Sequence, residues 1–190
     1  MAETQTPMNT RTFQEGDLII YGSTGVCRVD SVMKPDREAA RHGFDRERTY
    51  YVLKPLYHSE TIYVPTDNEK VFMRPVIEKE EAQRLIDMIP TITAEAIPAD
   101  SPQELRNYYR SVTTRYDCSD LIELTMSIYA KKKFAEGQRK KFGEVDGKAM
   151  KQAEDMLFGE FAVALQMDKD KVPEYIAKRV EEIRRTREKE

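Results

Sequence analysis

The chain has 190 residues, of which 39% are hydrophobic and 34% charged, and its 31 basic and 34 acidic residues leave a net charge of −3. This composition provides apolar side chains for one mid-sized domain or two small ones, and it argues against a general nucleic-acid coat protein. The longest apolar run, residues 161–165, is too short to span a membrane, and residues 1–10 lack the apolar core of a signal peptide. We therefore expect a soluble, cytoplasmic protein.

The first part of the chain has the pattern of short β-strands. Residues 1–12 are polar and lack periodicity, so we expect a disordered arm there. Five segments rich in β-branched or aromatic residues follow, at residues 17–21, 25–32, 49–54, 61–65 and 71–73. Their spacing predicts a small β-barrel of the Tudor or SH3 kind over residues 13–75. The polar residues 35–47 form a loop longer than ordinary hairpin loops.

A helical period replaces this alternation after Pro75. Apolar residues recur at spacings of three and four, which predicts helices over residues 78–89, 101–116, 119–134 and 146–165 and a fifth between residues 172 and 183. Ser101 followed by Pro102 and Glu104 is typical of a capped helix start. The expected fold is α+β: a small Tudor/SH3-like β-barrel followed by a compact all-helical C-terminal domain at residues 76–188.

The charges are unevenly distributed along the chain. Residues 59–101 carry nine acids and four bases, whereas residues 102–151 carry eleven bases and seven acids. Such a basic block is where a phosphate-binding surface can be built. A solvated helical face is an equally ordinary explanation for this excess.

The sequence carries no pattern typical of an enzyme or a metal site. Cys27 and Cys118 lie far apart and outside any C-x-x-C pair, so we expect two buried, reduced thiols. The two histidines, His42 and His58, lie in polar, loop-like stretches, and no phosphate-loop, dinucleotide-binding or hydrolase motif occurs. We therefore predict no catalytic residue, no metal and no cofactor.

Three groups of residues resemble one known family, in the correct order. They are Phe13-Gln-Glu-Gly-Asp-Leu-Ile-Ile-Tyr21 with Gly25-Val26, then Tyr51-Val-Leu-Lys54 with Ile62-Tyr-Val-Pro65, and finally Leu157-Phe-Gly-Glu-Phe-Ala162. They resemble the CarD family of transcription regulators, and the opening is also similar to the polymerase-binding module of transcription-repair coupling factors. The opening motif alone is compatible with a fragment of a repair helicase, but the helical motif after it favours the two-domain regulator, and no helicase motif occurs.

The resemblance implies a contact with RNA polymerase. In the family the barrel adds an edge strand to the polymerase β subunit, a mode in which main-chain hydrogen bonds supply affinity. The stretches that match the family's contacts are Met33 and Lys34 at the end of the second strand, and Ile62 and Tyr63 in the fourth. Where many relatives carry arginine, this chain offers Lys34 and Tyr63.

The resemblance also implies a contact with promoter DNA at the upstream edge of the melted bubble, where the family uses a tryptophan wedge. This chain has no tryptophan. The closest match to the wedge is Leu105, followed by Tyr108 and Tyr109, and apolar side chains other than tryptophan also insert between base steps. One of the two tyrosines is expected to face the helical core instead.

Two basic residues complete the expected DNA contacts. Arg110 matches a basic position of the family and Lys151 lies beside a second, whereas Gln152 lacks the expected charge. The implied protein is a monomer, associated with the nucleoid through the polymerase, that binds DNA largely independently of sequence and stabilises the open promoter complex. The alternative is a Tudor/SH3-like adaptor without a DNA role, which binds a peptide in an aromatic groove of Tyr50, Tyr51, Tyr57 and Tyr63.

Overall fold

The computed structural model describes residues 12–95, 97 and 101–188. The predicted disordered arm, apart from Thr12, lies outside the described residues. The chain divides into two compact units, of which the first ends at Val76 and the second begins at Ile77. The first contains the strands and the second contains five longer helices, which confirms the α+β class.

The first unit is a five-stranded antiparallel sheet. Its strands are β1 (Leu18–Tyr21), β2 (Gly25–Met33), β3 (Tyr50–Pro55), β4 (Ile62–Pro65) and β5 (Met73–Pro75). They lie in the order β4-β3-β2-β1-β5. The predicted barrel is not closed, because β4 and β5 pair only with β3 and β1 among the described strands. These two edge strands have four and three residues, too few to supply a long closing ladder.

The alternation of side chains along these strands builds the core of the sheet. Every second residue turns to one face, where the buried cluster consists of Phe13, Ile19, Cys27, Val29, Tyr51, Leu53, Val64 and Met73. The register between β2 and β3 shifts between Val29 and Ser31. The N–H of Phe13 donates to the hydroxyl of Tyr51 over 3.0 Å, so the residue before the strands is tied to the core as well.

The segment between β2 and β3 differs from the prediction of a plain polar loop. It contains a one-turn helix, α1 (Arg37–Arg41), whose first turn is capped by Asp36. The Asp36 carboxylate accepts hydrogen bonds from the N–H groups of Glu38 and Ala39 at 2.9 and 2.8 Å. A side-chain cap of this kind stabilises a turn that is too short to be read from apolar periodicity.

The second unit consists of α2 (Lys79–Met88), α3 (Pro102–Thr113), α4 (Cys118–Gly137), α5 (Glu144–Ala164) and α6 (Val172–Arg187). The predicted cap at Ser101 is confirmed, since its hydroxyl accepts from the N–H of Glu104 at 3.1 Å. The third helix ends at Thr113, earlier than predicted, and Tyr116 beyond it has a φ of 55°.

The core of the second unit lies on the predicted apolar stripes. Leu121, Leu124 and Ile128 are buried on α4, and Leu157 and Phe161 are buried on α5. Among the described residues, no helix is long and apolar enough to cross a membrane.

Candidate functional site

Strand β4 lies at an open edge of the first unit's sheet. It pairs with β3 on one side, and no described strand covers the other. The main-chain groups that face outward there can pair with a strand from another molecule. The first candidate site is therefore this edge.

The hydrogen bonds between β3 and β4 determine which residues of β4 direct their main-chain N–H and C=O groups away from β3. The N–H of Thr66 donates to the carbonyl of Thr49 at 2.9 Å, in the register that β3 and β4 share. Hydrogen-bonded pairs alternate along an antiparallel ladder, so Ile62 and Val64 bond to β3 and Tyr63 does not. The N–H and C=O of Tyr63 therefore point toward the open edge.

The proline in this strand fits the same pattern. Pro65 lies two residues after Tyr63 and so also occupies a position whose nitrogen faces away from β3. A proline there removes no ladder hydrogen bond, which is why β4 accommodates it. Tyr63 is thus left with the outward N–H group that a docking strand would use.

Of the four residues predicted to contact the polymerase, two lie on the edge strand β4 and two at the end of β2, with β3 between them. Tyr63 and Met33 share the outer face of the sheet, because both pair with β3 at residues two positions apart. Tyr63 is 49% exposed and Met33 is half-buried. Ile62 turns to the opposite face and packs against the core cluster. Lys34 follows the end of β2 and is exposed.

Phe44, which the sequence analysis did not identify, packs its ring against that of Tyr63. The ring of Phe44 lies 5.2 Å from the rings of both Tyr50 and Tyr63, in edge-to-face geometry. The segment that carries Phe44 is also tied to the turn after β4 by an exposed ion pair between Arg48 and Asp67. The sequence signal was a single aromatic residue within an otherwise polar loop.

A second candidate site is a cleft of about 350 Å³ between α3 and α5. Arg106 and Arg110 line it from α3, one helical turn apart. Lys148 and Gln152 line it from α5, also one turn apart, together with Glu144. Three cations and one carboxylate give this cleft a net positive charge, which suits an anionic ligand.

The cations of the cleft are available to a ligand. Arg110 is exposed and forms no ion pair with any described residue. Lys148 pairs with Glu144 at 2.6 Å, but both side chains are about 80% exposed, and such surface pairs are worth little. Lys148 lies one turn before Gln152 on the same wall of the cleft and gives that wall a positive charge.

The three residues matched to the family's wedge region are not equally accessible. Leu105 and Tyr109 are 7% and 4% exposed, so both face the helical core, whereas Tyr108 is 44% exposed. The surface residue of this group is therefore Tyr108, and Leu105 is placed as a packing residue. Lys151 is exposed on α5 but does not line the cleft.

The buried carboxylate of Asp146 connects the two helices that form the cleft to each other and to α4. Asp146, on α5, is 3% exposed. Its Oδ1 accepts from the Tyr109 hydroxyl at 2.5 Å and from Lys131 Nζ at 2.8 Å, which joins α3 and α4 to α5. Burial raises the pKa of Tyr109 and the hydrogen bond to Asp146 raises it further. Tyr109 therefore acts as a neutral donor that fixes the wall carrying Arg110.

One comparison identifies the first unit. Residues 13–77 match the family model of the CarD-like/TRCF RID domain. These residues belong to the CarD-like/TRCF RID family. The match covers roughly one third of the chain, including all five strands, and confirms the family expected from the sequence motifs. Comparison of the chain with curated proteins finds no match.

The RID family gives the first unit its general role. It is a family of non-enzymatic, RNA polymerase-interacting domains. The chain accordingly has a transcription-related, RNA polymerase-interacting function. Within the part of the chain that the structure describes, no group of three or more His, Cys, Asp and Glu side chains could hold a metal ion.

The RID domain does not form the aromatic groove of the alternative adaptor hypothesis. Tyr50 and Tyr51 are 8% and 1% exposed, and Tyr51 belongs to the core cluster. Only Tyr57 and Tyr63 of the four tyrosines present much of their rings to solvent. A peptide-binding groove needs several exposed rings side by side, so this geometry gives the adaptor hypothesis no support.

The third family-like motif lies beyond the RID domain and is part of the helical core. Glu160 is 2% exposed. Its Oε1 accepts from the N–H of Ile77 at 3.0 Å, and its Oε2 accepts from the thiol of Cys118 at 3.1 Å. The motif thus connects α5 to the start of the unit and to α4, which is a packing role. Cys27 and Cys118 are both buried, as predicted, and neither forms a disulfide bond within the described residues.

Proposed function

We propose that the chain binds the RNA polymerase β subunit through the open edge of β4 and contacts promoter DNA through the cleft between α3 and α5. The two contacts together stabilise the open promoter complex. The observation that carries the polymerase part of this proposal is the outward N–H and C=O of Tyr63, on a short edge strand of an RNA polymerase-interacting domain. A strand from the β subunit would add to this edge and extend the sheet.

The side chains around β4 supply the selectivity of this contact. Tyr63 lies on the outer face of β4, so a docking strand would place its alternate side chains beside it, whereas Met33 lies on the same face of β2, beyond β3. Phe44 packs against Tyr63 and limits the orientation of that ring. Lys34, at the end of β2, is proposed to contribute the positive charge that many relatives supply as arginine.

The cleft is proposed to bind the phosphate backbone of duplex DNA. Arg106, Arg110 and Lys148 are proposed to contact phosphates, which carry no sequence information, so the contacts would be largely independent of sequence. Lys151 adds charge outside the cleft. We assign the wedge role to Tyr108 in place of Leu105, because Tyr108 is the exposed aromatic residue beside Arg110.

Tethering makes weak DNA contacts sufficient. A chain held on the polymerase experiences promoter DNA at a high effective concentration, so the cleft does not need high affinity on its own. The proposed protein is a monomer that acts in the cytoplasm, at the nucleoid, and performs no catalysis. Its effect is to slow the closing of melted promoter DNA.

The test of the DNA part is the lifetime of a polymerase–promoter open complex in the presence of full-length variants. Arg110→Ala with Lys148→Ala should shorten the lifetime and lower the salt slope of DNA binding by about one per lost phosphate contact. The matched control is Lys178→Ala, since Lys178 forms the same kind of exposed pair with Glu174 on α6. Unchanged lifetimes with the double variant would refute the cleft as the DNA contact.

A further inference from the structure

An exposed aromatic ring lies at the end of α4. Phe134 is 67% exposed, the most among the large hydrophobic side chains that the structure describes. It occupies the last turn of α4, directly after Lys131, Lys132 and Lys133. A ring left in water to this degree contributes little to the core of its own unit.

The chain after α4 turns back on the last turn of the helix. The N–H of Gln138 donates to the carbonyl of Phe134 at 3.1 Å, and the N–H of Lys140 donates to the carbonyl of Ala135 at 2.8 Å. Arg139 adopts a left-handed backbone with a φ of 54°, which produces the reversal. These hydrogen bonds hold Arg139 and Lys140 at the C-terminal end of the helix that carries Phe134, and Lys141 follows them.

The charge of this surface is largely uncompensated. Arg139, Lys140 and Lys141 are exposed and form no ion pair with any described residue. Glu136 is the one acid of this turn, and it lies 3.9 Å from Lys133. We call Phe134 together with Lys133, Arg139, Lys140 and Lys141 the α4 basic end.

We propose that the α4 basic end binds single-stranded nucleic acid, with Phe134 stacked on one base and Lys140 and Lys141 on the flanking phosphates. An aromatic ring surrounded by cations is the arrangement that binds unpaired strands, because every base offers a π-face and every nucleotide a phosphate. Bases in a duplex are already stacked on their neighbours, so Phe134 would find no partner there. This function needs neither the polymerase nor the α3–α5 cleft.

The test is binding of the full-length chain to a fluorescent oligothymidylate of about 15 nucleotides, measured by anisotropy at low salt. Phe134→Ala should weaken binding by about 5-fold or more, the loss of one stacked base. Phe134→Tyr should bind like the wild type. Phe134→Leu should be as weak as Phe134→Ala, because leucine keeps the apolar surface and lacks the π-face. Thermal melts should be unchanged, since residue 134 is mostly exposed.

Charge variants separate this site from the cleft. Lys140→Ala with Lys141→Ala should reduce the salt slope by about 0.7 per lost phosphate of a single strand, whereas the control Lys178→Ala on α6 should leave oligothymidylate binding unchanged. The proposal is wrong if Phe134→Leu binds like the wild type, or if binding depends on Lys148 instead of Lys140 and Lys141. It is equally wrong if the chain binds phosphatidylglycerol vesicles and not oligothymidylate.

Discussion

Replacement of Asp146 tests the support of the α3–α5 cleft. In Asp146→Ala, the hydroxyl of the buried Tyr109 loses its acceptor, which costs about 1–3 kcal/mol. Lys131 loses its ion pair as well, but its side chain is 32% exposed and can be solvated, so this part costs about 1 kcal/mol. We expect a total loss of about 2–4 kcal/mol in the free energy of unfolding. For a helical unit of this size, the melting temperature should fall by roughly 10 °C.

The assay is thermal and urea unfolding of the full chain followed by helical circular dichroism. The matched control is Asp155→Ala on the same helix, because Asp155 is 57% exposed and pairs with Lys169 at 3.2 Å. That variant should lose less than about 1 kcal/mol. If Asp146→Ala and Asp155→Ala lose the same small amount, the buried carboxylate does not hold the three helices together.

Two further predictions concern burial. Leu105→Ala should lower the free energy of unfolding by about 2–5 kcal/mol, whereas Tyr108→Ala should lower it by less than about 1 kcal/mol and shorten the open-complex lifetime. If a urea titration shows a larger loss of stability for Tyr108→Ala than for Leu105→Ala, Leu105 is the better candidate for the wedge. Burial raises the pKa of the Cys27 thiol from 9.0 to about 12, with a smaller contribution from Glu60. The unfolded thiol ionises first, so stability should fall as pH rises through this interval, and iodoacetamide at pH 9 should modify Cys27 quickly in urea and slowly without it. Rapid modification of the folded protein would contradict that placement.

The sequence allowed the local elements to be predicted, and the reason is their short-range origin. Alternation along β2 and β3 depends on neighbouring residues only, and the cap at Ser101 lies within a single turn. The position of β4 at an edge of the sheet could also be predicted from the sequence, since the strand is short and contains a proline. Closure of the barrel could not be predicted, because it depends on whether two edge strands that are distant in sequence pair with each other.

The candidate sites were predicted less completely, because they depend on long-range contacts. Asp146 is buried between partners 37 and 15 residues away, which no spacing rule indicates. Burial of Leu105 did have a signal: it shares a helical face with Tyr109 and Val112, and all three are buried. The resemblance placed Leu105 at the wedge, and the helical period of this chain would have placed it in the core.

The central claim is tested most directly by the affinity of full-length variants for core RNA polymerase from the source cell. Tyr63→Pro removes the outward N–H and leaves the hydrogen bonds between β3 and β4 intact, whereas Tyr63→Ala removes the side chain and keeps the N–H. We predict that Tyr63→Pro binds about tenfold more weakly or worse, as expected for one lost hydrogen bond and the bulk of the proline ring, and more weakly than Tyr63→Ala. A folded Tyr63→Pro variant with wild-type affinity would contradict docking at the β4 edge.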